Sequence, residues 1–178
     1  MNDTKIIKIG QKTGGFFIEC GAFDGEVRSQ TMFFELKRNW TGKLHISPIR
    51  WWLLHGKVIG FWNAVTLGLL IEPNDDSFQK LLGKNRNAYS VNTCLSSGPR
   101  AERVNFHDLG TRSGVVGRGP YSPKGRTNAT LNTKICVPLY SLLLAMDNPI
   151  VDFFSLDVEG AEINILKSLP WDKIVIKV

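Results

Sequence analysis

Three short apolar runs in this chain each end on acidic residues: "FFIECGAFDGE", "LLIEPN" and "DFFSLDVEG". Such runs are too short for helices and too continuous for a half-exposed strand. They read as strands buried on both faces of a parallel sheet, the first over about Gly15 to Cys20. Between them lie stretches with helical periodicity. "SQTMFFELKRNW" spaces Met32, Phe33, Leu36 and Trp40 along one helical face, behind Ser29 as N-cap. "DDSFQKLLGKN" has acids in its first turn and Gly83 near its end. "VPLYSLLLAMDN", with Pro138 in its first turn, and "AEINILKSL" supply two more helices. "AYSVNTCL" and "KIVIKV" read as a third and a fifth strand, and "VDFFSLDVEG" as the fourth. From Ser96 to Thr133 the pattern dissolves into Gly, Ser, Thr, Asn and Arg, which predicts a long loop or hairpin. Strands alternating with helices in this way predict an α/β domain, a mostly parallel sheet with helices on both faces.

At 178 residues the chain is about one domain. Its 43% hydrophobic and 21% charged residues are ordinary for a soluble globular protein. The net charge of +6 is scattered, with no Lys/Arg block and no aromatic residues interleaved with basic ones, so nucleic acid is not an expected partner. Cys20, Cys94 and Cys136 each sit in or beside an apolar run and read as buried free thiols rather than a disulfide framework; no CxxC or His/Cys cluster points to a metal. The N-terminus has no apolar signal-peptide core, and the N-x-S/T triplets at Asn2, Asn39 and Asn128 carry little weight.

The chemistry is expected at the carboxyl ends of the strands, where parallel sheets bind ligands. Glu19 to Gly25, Glu72 to Asn74 and Asp157 to Gly160 put three acidic clusters on that rim. Any one alone reads as structural. Three on one edge point to a site, because like charges gathered there cost stability unless a ligand uses them. A glycine turn after the first strand and an acid after the second is the arrangement that holds a nucleotide ribose. The turn is GxxxG (Gly21, Gly25) rather than GxGxxG, with Asp24 inside it. Asp24 would repel a pyrophosphate and suits a cationic ligand without phosphate, such as the sulfonium S-adenosylmethionine. His107 has the chemistry of a general base, but a lone loop histidine more often is simply solvated, and Phe153 and Phe154 read as core.

"FFIECGAFDGE", "NWTG…LLIEPN", "NTCLS" and "DFFSLDVEGAEINILKSLPWDKI", in this order, resemble the FkbM family of S-adenosylmethionine-dependent methyltransferases over about Gly15 to Val178. The fuller likeness is to the animal, protein Star-like branch. The resemblance implies a Rossmann-like class I methyltransferase fold, C-terminally truncated, since family chains run on past the fifth strand. It implies S-adenosylmethionine as cofactor, held by Glu19, Gly21, Asp24, Gly25 and Glu72 together with Asp157. The "DVEGAE" motif contributes Asp157, Glu159, Gly160 and Glu162. The implied reaction is methyl transfer to a hydroxyl or similar nucleophile of an unidentified acceptor. Asp157 and Glu159 are the catalytic candidates, placed to take the acceptor's proton. The rival reading is a catalytically silent Star-like trafficking factor with membrane-protein cargo. It would be associated with endoplasmic reticulum, Golgi or endosome membranes through an anchor before residue 1, where a soluble methyltransferase would be cytoplasmic.

One stretch stands apart. In the family "W-x-G" runs straight into "LLIEP", whereas here Lys43 to Gly68 intervenes, carrying "RWWLLHGKVIGFWNAV". Gly21 and Glu72 lie 51 positions apart, and 25 without those 26 residues. The latter is close to the spacing of about 20 expected between glycine turn and ribose acid. A membrane span is long enough to fit, but His55, Lys57 and Asn63 lie within it and it would pull the second strand from the sheet. A native binding insertion is the other alternative. The favoured reading is a translated intron or gene-model error, since Gly42-Lys43 can be encoded by GGTAAG, which contains a splice-donor sequence.

Overall fold

The computed structural model describes residues 12–38, 40, 68–108, 113–118 and 130–177. Asn2, Asn39, Asn128 and the stretch from Lys43 to residue 67 lie outside them.

Among the described residues, four strands form the central sheet: β1 (Phe17–Cys20), β2 (Gly68–Ile71), β3 (Tyr89–Val91) and β8 (Phe153–Leu156), in the order β3-β2-β1-β8. Every pairing in it is parallel. Among the described residues, four helices accompany it: α1 (Met32–Arg38), α2 (Asp75–Gly83), α3 (Leu139–Ala145) and α4 (Glu162–Ser168). Side chains alternate across the sheet, and so do the helices. Ile18, Cys20, Leu69 and Ile71 pack with Leu139 and Leu143 of α3 and Ile165 of α4. Phe17 and Leu70 point the other way and pack with Phe34 of α1 and Leu81 of α2. The sheet is thus covered on both faces, as the unbroken apolar runs require.

The helix ends follow local chemistry. Asn74 caps α2, its side-chain oxygen accepting from the Ser77 N–H at 2.7 Å. The Ser29 hydroxyl accepts from the Met32 N–H at 3.2 Å, but α1 begins at Met32, so Ser29 stands in the preceding loop and not at the N-cap position expected for it. The face expected for α1 is not the one that packs. Phe33 and Leu36 are exposed, and Phe34 is buried. The chain bends after the helix and lays Trp40 against Phe34, with ring centroids 4.2 Å apart, while Phe153 covers Phe34 from the sheet at 4.8 Å.

The polar region from Ser96 to Thr133 contributes a second sheet, which the loop-or-hairpin expectation caught only in part. β4 (Cys94–Leu95), β5 (Glu102–Asp108), β6 (Gly114–Val115) and β7 (Thr130–Val137) assemble in the order β4-β7-β5-β6. β5 pairs antiparallel with β6 and β7, and β4 runs parallel to β7. The expected third strand is therefore two, β3 and β4, which belong to different sheets. The expected fifth strand reduces to one parallel bridge between Val151 and Ile176.

The cysteines also depart from expectation. Cys94 and Cys136 are register partners across β4 and β7, with Cα atoms 4.3 Å apart, and form a disulfide. They lie 42 residues apart, so only the second sheet brings them together. Cys20 is the buried free thiol expected. His107 is on β5, not in a loop; it is half-buried, and its Nδ1 has no hydrogen-bond partner among the described residues.

Candidate functional site

The parallel register sets the site. Cys20 pairs with Ile71 on one side and Leu156 on the other. One step further along each strand, Gly21 stands between Glu72 and Asp157. Backbone bonds hold the row: the Gly21 N–H donates to the Ile71 carbonyl at 3.0 Å, and the Asp157 N–H to the Cys20 carbonyl at 3.1 Å. After β1 and after β8 the chain leaves for helices on opposite faces, which opens a crevice at the carboxyl edge. A pocket fills that crevice, lined by Glu19, Gly21, Glu72, Asp157 and Glu159, five of the seven residues predicted for the site. Asp24 and Gly25 do not line it.

Gly21 has φ +82°, and a Cβ there would meet the Asp157 main-chain oxygen at 2.2 Å. Only glycine fits so close an approach. Glu72 is buried, with Oε2 accepting from the Phe23 N–H and Oε1 from the Asn74 N–H, both at 2.8 Å. Each oxygen keeps a further lone pair for a ligand hydroxyl. Burial raises the Glu72 carboxyl above its ordinary value, aided by the charge of Asp108; those two N–H donors and Lys134 pull it back only in part.

Glu19 serves the loop that follows it. Its carboxylate accepts from the Ser29 hydroxyl at 2.9 Å, the Gln30 N–H at 2.8 Å and the Thr31 hydroxyl at 2.5 Å. Arg86 reaches the same loop, donating to the Gly25 carbonyl, the Ser29 hydroxyl and the Thr31 hydroxyl, and is paired with Glu35 at 2.6 Å. Asp24 caps its own turn, Oδ1 accepting from the N–H groups of Glu26 (3.0 Å) and Val27 (2.8 Å). Gly25, at φ +76°, lies against Leu81, where a Cβ would come within 2.3 Å.

Glu159 and Gly160 both have left-handed backbone, at φ 57° and 107°. Glu162 closes that turn, its Oε1 accepting from the Val158 and Gly160 N–H groups, each at 3.1 Å. Partial burial would raise its carboxyl, but these and neighbouring N–H donors outweigh that and hold it below the ordinary value.

Sequence reasoning missed the outer wall. Phe106, Ser113 and Val115 of the second sheet face the pocket, as does Cys94 of the disulfide. Asp108 ties that sheet to the first, accepting from the Asn74 side-chain amide. The signal was present: Val104 and Phe106 are buried at alternate positions of "ERVNFHD". His107 is not among the lining residues. Among the described residues, no group of His, Cys, Asp or Glu side chains is placed to hold a metal ion, and no helix is long and apolar enough to cross a membrane.

Residues 56–178, well over half of the chain, match the model of the methyltransferase FkbM domain. The chain belongs to the FkbM methyltransferase family. Proteins of the family typically use S-adenosylmethionine, and the FkbM domain implies a small-molecule methyl donor. The match begins inside the stretch set apart above and takes in residues 56–67; it does not include β1. It does not single out the animal Star-like branch, so the trafficking reading is not carried further. No curated protein and no solved structure matches the chain.

Proposed function

We propose that this FkbM domain binds S-adenosylmethionine in the pocket at the carboxyl edge of the central sheet. It transfers the methyl group to a hydroxyl or similar nucleophile, in a Rossmann-like class I methyltransferase architecture. The observation that carries the reading is the row Glu72–Gly21–Asp157, brought together by the parallel register at the crevice. The strand order β3-β2-β1-β8 supports the architecture, since it is one half of a doubly wound sheet with the crevice beside β1.

The residues present fit such a ligand. Gly21 lines the pocket and lets β1 and β8 close up beside it, the place of its missing Cβ being taken by the Asp157 main-chain oxygen. Glu72 has spare acceptor capacity for ribose hydroxyls, and a ligand that hydrogen-bonds its carboxylate offsets the cost of its burial. Asp157 and Glu159 place negative charge where a sulfonium and an ammonium would be favoured. In this reading Glu19, Asp24 and Gly25 contribute by fixing the loop that frames the pocket. The cofactor supplies an activated methyl group; the protein supplies alignment, charge and exclusion of water. Asp157 or Glu159 accepts the proton released by the acceptor.

Calorimetric titration of the chain with S-adenosylhomocysteine tests the proposal. Saturable binding that Glu72→Ala weakens supports it. A folded sample that takes up neither the cofactor nor its demethylated product overturns it.

A further inference from the structure

We infer that Arg28 recognises the carboxylate at the amino-acid end of the bound cofactor. The inference rests on the proposed reading of the pocket and goes one step into it. Among the described residues, five charged ones line the pocket: Glu19, Glu72, Asp157, Glu159 and Arg28, the one cation in that group. A guanidinium beside acids ordinarily pairs with them. Here Glu19 spends its oxygens on Ser29, Gln30 and Thr31, and Glu72 accepts from Phe23 and Asn74. Arg28 is exposed at the pocket and makes no hydrogen bond or ion pair with any described residue.

Its neighbours, by contrast, are fastened. The Val27 N–H is held by Asp24, and the Ser29 N–H donates to the Glu26 carbonyl at 3.1 Å. The Ser29 hydroxyl is held by Glu19 and Arg86. Between these anchors Arg28 has φ 63°, a left-handed conformation rare for a residue with a long side chain. The loop therefore presents a free, fork-shaped donor set to a pocket otherwise rich in carboxylates. The complementary ligand is a zwitterion. Its cationic sulfonium and ammonium meet Asp157 and Glu159, and its carboxylate meets the guanidinium in a bidentate pair.

The test compares S-adenosylhomocysteine with 5′-methylthioadenosine, which keeps the adenosine and thioether but lacks the amino-acid end. Calorimetry is run on the full chain and on Arg28→Gly and Arg28→Lys. Glycine keeps the left-handed backbone while deleting the side chain. The expected result is that Arg28→Gly weakens S-adenosylhomocysteine about 10- to 100-fold and leaves 5′-methylthioadenosine within about twofold. Arg28→Lys should recover part of the loss, since it restores charge but not the fork. Unchanged S-adenosylhomocysteine affinity in Arg28→Gly overturns the assignment and points to the acceptor or to solvent as the partner of Arg28. Equal loss for both ligands also overturns it, because the effect would then lie in the loop. A folded wild-type chain that binds neither ligand removes the reading of the pocket itself.

Discussion

A Cβ on Gly21 would lie 2.2 Å from the main-chain oxygen of Asp157, so two adjacent strands meet at the site with no room for a side chain between them. Gly21→Ala must either push β1 from β8 or abandon φ +82°. The left-handed backbone alone costs an alanine about 1–2 kcal/mol, and the clash adds to it. The expected outcome is a lower melting temperature together with loss of S-adenosylhomocysteine binding. A Gly21→Ala chain that melts and binds like wild type would show that the strands are further apart than described.

Glu72 yields a pH signature with opposite signs for binding and for stability. Burial raises its folded-state carboxyl above its ordinary value. Its contribution to stability is therefore fully present below the unfolded value and is lost as pH rises through the folded one. Ligand hydroxyls, however, donate to the ionised form. Affinity should climb as pH rises through that same raised value, and Glu72→Gln should flatten the climb. Calorimetry across mildly acid to neutral pH reads this directly. In Glu72→Ala at neutral pH, binding should weaken by roughly 1–3 kcal/mol, the cost of leaving hydrogen-bonding groups unpaired.

The thiols should be silent in the native protein. Cys94 and Cys136 are bonded to each other, and burial, with the charge of Glu19, pushes the Cys20 thiol far above its ordinary value. The thiolate is the reactive form, so a native sample should show no fast reaction with a thiol reagent. Denaturant alone should expose one thiol per chain, and denaturant with reductant three. Two of the three sit on the second sheet, so Cys94→Ala/Cys136→Ala should cost about 2–4 kcal/mol. Three thiols in denaturant alone would refute the pairing.

How much of this was legible in the sequence depends on where each residue finds its partner. β1, β2 and β8 announced themselves because burial on both faces demands unbroken apolar runs, and their acids were placed on the right rim for the same reason. α2 announced itself through local chemistry, with Asn74, Asp75 and Asp76 at its start. The disulfide was not legible. Its partners become neighbours only after β7 returns beside β4, and nothing local to either cysteine encodes that. The buried face of α1 was misread because Phe34 is selected by Trp40 and Phe153, which lie outside the helix. In the candidate site, Glu72 was singled out by its place at the end of the second apolar run, whereas Arg86 was missed because its targets, Gly25, Ser29 and Thr31, are more than fifty residues away.

The second sheet should respond to acid through one ion pair. Arg118 holds Glu102 with two bonds, at 2.9 and 2.7 Å, and that pairing chiefly lowers the Glu102 carboxyl to about 2 against an ordinary 4.5. A lowered folded-state value contributes stability above the unfolded value, lost as pH falls through the folded one. The pair should therefore support the sheet at neutral pH and fade between about 4.5 and about 2. Arg118→Met should return Glu102 towards 4.5, read by carboxyl NMR titration. An unchanged Glu102 midpoint in that variant would remove Arg118 as the cause.

The remaining prediction concerns the apolar stretch ahead of β2. Its expected end at Gly68 runs one residue too far, since Gly68 pairs with Phe17 as the first residue of β2, and a Cβ there would come within 2.4 Å of the Phe17 ring. We propose that the preceding residues, from Lys43 to residue 67, are dispensable for the sheet. Removing them still leaves Gly21 and Glu72 at the spacing usual for a glycine turn and a ribose acid. The family match complicates this, because it takes in residues 56–67. Two deletions separate the alternatives. If the whole stretch is foreign to the domain, removing 43–55 or 43–67 should each leave cooperative melting and cofactor affinity intact. Solubility should improve most in the longer deletion, which removes Trp62 along with Trp51 and Trp52. If only 43–55 is foreign, the shorter deletion should be tolerated and the longer one should unfold the chain. Loss of folding in both would make the stretch part of the domain and end the proposal.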